Sequence, residues 1–212
     1  MFTKSLVPLL SLLLTGIVSA QAWAYGAFFT VSQTTLKPYK DVSLPVFSRD
    51  GTLSAQKINT HVQQFVTNFI QEKRESYQED ITVNATYAIT YNNSNYLSMV
   101  FTFTYGLEGW PQYAAQGLTF RSDNGNLVRA NDLNIRPQEI AKALFRQARA
   151  ENVTLKKDLR LRTVPENFYF DKNCHLHFLF AKGEVATEAS GAIDLLMPAD
   201  ETWTNLSDER SF

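Results

Sequence analysis

A single cysteine, Cys174, excludes an internal disulfide, so an ordinary apolar core must hold this chain together. Long apolar runs are scarce as well. Residues 6–20 (LVPLLSLLLTGIVSA) form one, but it is short for a bilayer span and is interrupted by Pro8, Thr15 and Gly16. Positive charge is not in excess, with 20 Lys and Arg against 21 Asp and Glu, which argues against nucleic acid as a partner. Histidine is rare, at three residues, and no Gly-x-Ser-x-Gly elbow occurs. Internal repeats and low-complexity linkers are missing too.

What is present begins with an export signal. Lys4 gives a positive n-region, residues 6–20 an apolar h-region, and Ala20, Ala22 and Ala24 each end a small-x-small triplet that signal peptidase reads. Residues 1–24 are therefore expected to be removed, leaving an exported, soluble chain, periplasmic or secreted, with net charge −2 and no membrane span. No Cys follows the h-region, so a lipid anchor is not expected.

Residues 25–40 carry no clear period and read as an irregular or edge segment. From residue 53 the spacing of Ile58, Val62, Phe65, Val66, Phe69 and Ile70 predicts a helix running to about Tyr77, with Ser54 as its N-cap. Residues 81–91 and 96–105 alternate β-branched and aromatic residues around an Asn- and Ser-rich turn, which predicts a hairpin. A loop over residues 106–111, a strand over 113–121 and a short fourth strand over 126–129 follow. Pro137 then opens a second helix reaching Glu151. Strands are expected at 168–170, 175–180 and 191–197. This order predicts an α+β fold with a mainly antiparallel sheet and two helices, in two closely packed halves. The halves are residues 25–110 and 111–200, with a weak boundary near 110 and a tail over 201–212.

The second half carries Glu166-Asn167-Phe168-Tyr169-Phe170-Asp171, an apolar partner at 176–180, then Gly191-Ala192-Ile193 and Pro198. The first half carries Tyr96-Leu97-Ser98, a Tyr-x-Gly turn at 105–109 and the stretch Asn131-Asp132-Leu133. In this order the motifs resemble RsiV-like extracytoplasmic proteins over residues 42–198. The resemblance implies a domain pair that occurs alone, on anti-sigma factors that sense lysozyme, or beside polysaccharide deacetylase domains that do the catalysis themselves. It implies a lysozyme-like protein or a peptidoglycan glycan as partner. Two loops depart from the family: Trp110 stands where a His is frequent, and Glu184 is flanked by Lys182, Gly183, Thr187 and Glu188 instead of Tyr and Pro.

Those loops supply the candidate binding residues: Tyr105, Glu108, Trp110 and Tyr113 in one, Lys182, Glu184 and Glu188 in the other. Trp110, between Gly109 and Pro111, either plugs the end of the core or anchors a partner, as exposed aromatics do. Trp203 in the tail could likewise contact a partner or cap the packing. His175 and His177 project from one face of a strand, as two zinc ligands could, but the third ligand that a site requires is not supplied by the pattern, and no metal or cofactor is expected. Glu184 and Glu188 are more simply a solvated pair than an acid and base. The reading is a non-catalytic binding protein of the cell envelope. The alternatives are a cell-wall hydrolase using His175 and His177, which would need both rings to converge with a carboxylate, and a purely structural envelope protein.

Overall fold

A computed structural model describes residues 27–77 and 80–198. The signal segment, Trp203 and the tail lie outside them. The described residues form two helices and three antiparallel sheets, an α+β fold as the sequence predicts. The chain opens with a hairpin that the sequence leaves as an irregular or edge segment: β1 (Thr30–Thr35) pairs with β2 (Ser43–Ser48). Helix α1 (Leu53–Tyr77) follows. Ser54 lies inside α1 instead of capping it, and its hydroxyl is buried without a hydrogen-bond partner.

The central sheet has the order β3 (Thr82–Asn92), β4 (Tyr96–Leu107), β5 (Trp110–Arg121). Alternation along β4 divides its side chains between two cores. Leu97, Met99, Phe101 and Phe103 face α1, where Phe69 stacks on Phe103 at 3.8 Å and Ile58, Val62, Val66 and Ile70 are buried beside it. Phe65, from the same expected stripe, is half-buried at the margin of this core against Phe101 and Phe103, and Phe69 is the more deeply buried of the two rings. Tyr96 and Ser98 face the other way, into a second core.

That second core is built by α2 (Pro137–Glu151) and a sheet of β6 (Phe168–Phe170), β7 (Leu176–Phe180) and β8 (Ile193–Leu196). Phe168, Phe170, Phe178 and Phe180 point into it, with Ile140 and Leu144 from α2. Pro137 starts α2 where a missing N–H costs nothing, the Glu139 carboxylate accepts the Arg136 amide, and Asn152 ends the helix in the left-handed region at φ 56°.

Strand β6 lies directly over β5. A Cβ at Gly117 would collide with the Phe168 carbonyl, so glycine permits this approach. Asn167 closes the joint, accepting from the Gly117 amide at 2.8 Å and donating to the Ala115 carbonyl at 3.0 Å. The Ser98 hydroxyl accepts from the Phe170 amide at 2.9 Å. A bulge between Ile89 and Tyr91 shifts the register of β3 and sends the Tyr91 ring to the Phe170 side.

Residue 110, near which a boundary was expected, opens β5 within a continuous hairpin; the first core extends to Phe120 and the second resumes at Val128. The expected fourth strand at 126–129 is reduced to a single bridge, Phe120 to Leu127, because the Asp132 carboxylate accepts the Arg129 amide and turns the chain into a short 3-10 helix (Ala130–Asp132).

Candidate functional site

Two places carry candidate chemistry. The first is the tip of the β4–β5 hairpin, where the strands continue to the pair Leu107 and Trp110 and only Glu108 and Gly109 turn between them, Gly109 at φ 81°. Trp110 is thus a strand residue, and at 78% exposure it does not plug a core. Tyr113 is 70% exposed. Alternation along β5 puts Trp110 on the α1 face of the ribbon, beside Leu107, and Tyr113 on the opposite face. Tyr105 is different in kind, edge-on to Phe69 and Tyr77 with the Lys73 ammonium near its ring, and belongs to the core margin. Glu108 is exposed in the turn itself.

The loop at residues 182–188 is occupied with its own geometry. Glu184 accepts from the Ala181 amide at 2.7 Å and closes a turn, Glu188 lies 3.8 Å from the Lys182 ammonium, and Val185 and Thr187 bond to residues 154–156. Among the described residues no hydrogen bond, ion pair or ring contact joins this loop to the hairpin tip.

The second place is the outer face of the β6–β7–β8 sheet. Register places Tyr169 opposite His177, with Asp194 diagonally across on β8. The His177 Nδ1 is 2.9 Å from Asp194 Oδ1, and the Tyr169 hydroxyl donates to Asp194 Oδ2 at 2.7 Å. The two rings stack at 4.6 Å. On the other side Asp171 sits in the β6–β7 turn, its Oδ1 accepting the amides of Asn173 and His175 and its Oδ2 lying 3.2 Å from His175 Nδ1 and 3.7 Å from His177 Nε2. Both histidines therefore converge on one carboxylate, and no group of three His, Cys, Asp or Glu among the described residues is arranged to hold a metal ion.

The electrostatics follow from that enclosure. Burial, then Asp194 and Asp171, push the Tyr169 hydroxyl well above its usual range. Burial opposes ionisation of Asp171, but the amides of His175 and Asn173 and the His175 ring outweigh it and hold the carboxyl below its usual range. Cys174, at φ 62°, turns its thiol to the Tyr91 hydroxyl, and burial raises the thiol and the phenol alike. Tyr169 and Asp194 were not among the residues singled out from sequence. The one available signal was alternation, which puts Tyr169, His177 and Asp194 on the same face of their strands.

No protein-family model matches the chain, and no curated protein matches it. Solved structures do. The chain is similar to a DUF3298-family protein of Bacteroides fragilis NCTC 9343, at 10% identity and a TM-score of 0.53 over 81% of this chain and 88% of that one. It is also similar to a DUF3298-family protein of Pseudomonas aeruginosa PAO1, at 8% identity and a TM-score of 0.52 over 80% and 88%. At these identities the likeness concerns the fold.

Proposed function

We propose that this is an exported, non-catalytic binding protein of the RsiV-like type, which presents the β4–β5 hairpin to a lysozyme-like hydrolase in the cell envelope. The supporting observation is the end of the hairpin: its two most exposed aromatics stand on opposite faces of β5, Trp110 at the tip and Tyr113 where β3 joins the sheet. A sugar chain is gripped by rings lying side by side on one face, whereas a two-faced finger suits insertion between the walls of a cleft, where both rings lose water at once. Glycan hydrolases carry such a cleft. Glu108, at the turn, would meet the partner first and act chiefly on the association rate.

Titration calorimetry of the mature chain against lysozyme and, separately, against soluble peptidoglycan fragments tests the proposal. The expected result is binding to lysozyme that Trp110→Ala weakens by about 2 kcal/mol, roughly thirtyfold. Equal affinity for wild type and variant, or binding to the glycan alone, would overturn it.

The competing hydrolase reading has one observation in its favour, the convergence of His175 and His177 on Asp171. Against it, the adjacent Cys174 thiol is not poised as a nucleophile: it faces Tyr91, and burial raises its pKa.

A further inference from the structure

His177 occupies an unusual position between two carboxylates on different segments. Its Nδ1 is within hydrogen-bond distance of Asp194 on the edge strand β8, and its Nε2 points toward Asp171 in the β6–β7 turn, at 3.7 Å. The ring is 15% exposed and stacked on Tyr169, and Nε2 has no hydrogen-bond partner. With one proton, on Nδ1, the ring satisfies Asp194 and leaves a buried lone pair facing the Asp171 carboxylate. With a second proton the same nitrogen becomes a donor aimed at that carboxylate. We propose that His177 is a proton-operated clasp, which when doubly protonated ties the β6–β7 turn to β8 and when it loses a proton lets go of the turn.

The two carboxylates facing His177 favour the charged ring. Asp171 comes from the turn and Asp194 from β8; beside them the Tyr169 hydroxyl of β6 donates to Asp194, and His175, which precedes β7 in the turn, shares Asp171. Helix α2 adds no charge here: Gln147 reaches β8 with its amide, donating to the Asp194 carbonyl and accepting from the Leu196 amide. Beyond its ladder with β7, the edge strand is thus held by Gln147 and by the Tyr169 hydroxyl at Asp194, which need no second proton on His177, whereas the tie to the turn does. Burial opposes the imidazolium, but the hydrogen bond and charge of Asp194, and then those of Asp171, outweigh it and raise His177 above the ordinary histidine value. A raised folded value means that the stabilisation is complete below the unfolded value, about 6.5, and disappears as pH rises through the folded one. The clasp therefore loosens as pH rises through the raised value of His177, above the ordinary histidine range.

Imidazole NMR titration of the full chain tests this directly. His177 is expected to titrate above 6.5, and Asp194→Asn and Asp171→Asn should each lower its midpoint, by about one unit for the first. Hydrogen exchange supplies a second readout: protection of the Asn173 and His175 amides in the β6–β7 turn, corrected for intrinsic rates, should fall as pH rises above about 6.5 in the wild type and stay level in His177→Gln. A wild-type midpoint at or below 6.5, or one that neither Asp variant moves, would overturn the proposal. The wild-type titration decides the matter even where a variant fails to fold.

Discussion

Three asparagines make the same two-bonded joint at three places, each giving its amide to a carbonyl and accepting a backbone N–H with its oxygen. Asn59 does so at Phe47, Asn92 at Phe29, and Asn167 at Gly117 and Ala115. An amide side chain can both donate and accept, which a carboxylate cannot. Asn167→Ala should therefore cost about 1–3 kcal/mol in chemical denaturation, through the two backbone groups left without partners, and Asn167→Asp should cost more, because its charge would face the Ala115 carbonyl. Sequence reading reached Asn167 only as part of a family string, since a joint to residues 50 positions away leaves no local periodicity. Trp110 was legible as a candidate, and its exposure was not. Whether an aromatic at a turn is covered depends on what packs over the ribbon, which the residues next to it in sequence do not encode.

At the scale of elements, α1 rests on the stripe that its spacing announces, and the Phe69 ring stacks on Phe103 at 3.8 Å within it. Phe69→Ala is expected to cost about 3–5 kcal/mol in a denaturant melt, and Phe65→Ala, half-buried, clearly less. Equal losses would mean that the stripe is rotated about the helix axis. Both helices and the strands from β3 onward were legible because their side chains are sorted by burial at periods of 3.6 or 2. The first hairpin was not. Thr30–Thr35 is exposed at nearly every position and its partner contains Pro45, so neither strand shows clean alternation. At residues 126–129 the opposite error arose: a turn and a short apolar stretch resemble a returning strand, but the Asp132 cap takes the chain away after one bridge.

For the whole molecule, the two cores share the central sheet and are joined by Gly117, Asn167 and Ser98, so unfolding should be a single transition in which near-ultraviolet and far-ultraviolet dichroism coincide. Gly117→Val places a branched side chain against the Phe168 carbonyl and should separate the two signals, the second core melting first. The pH profile has two sides. Asp171, held below its ordinary value, contributes stability above the usual carboxylate range that is lost as pH falls through its depressed value, and His177 contributes below about 6.5 and loses it as pH rises. A thermal midpoint rising steadily from pH 6 to pH 9 would contradict the second of these.

Strand β4 has a consequence for how the fold avoids error. An ordinary surface strand that slips by one residue exposes one apolar set and buries one polar set. In β4 the same slip would drive Phe101 and Phe103 toward the Gly117 crossing, where β6 leaves no room, and at the same time offer Ser98 and Thr102 to the helix. Each core thus vetoes the mistakes that the other alone would tolerate. A chain with either core weakened should still reach a collapsed state, but with β4 free to pair in more than one alignment, so that heterogeneity would precede outright unfolding.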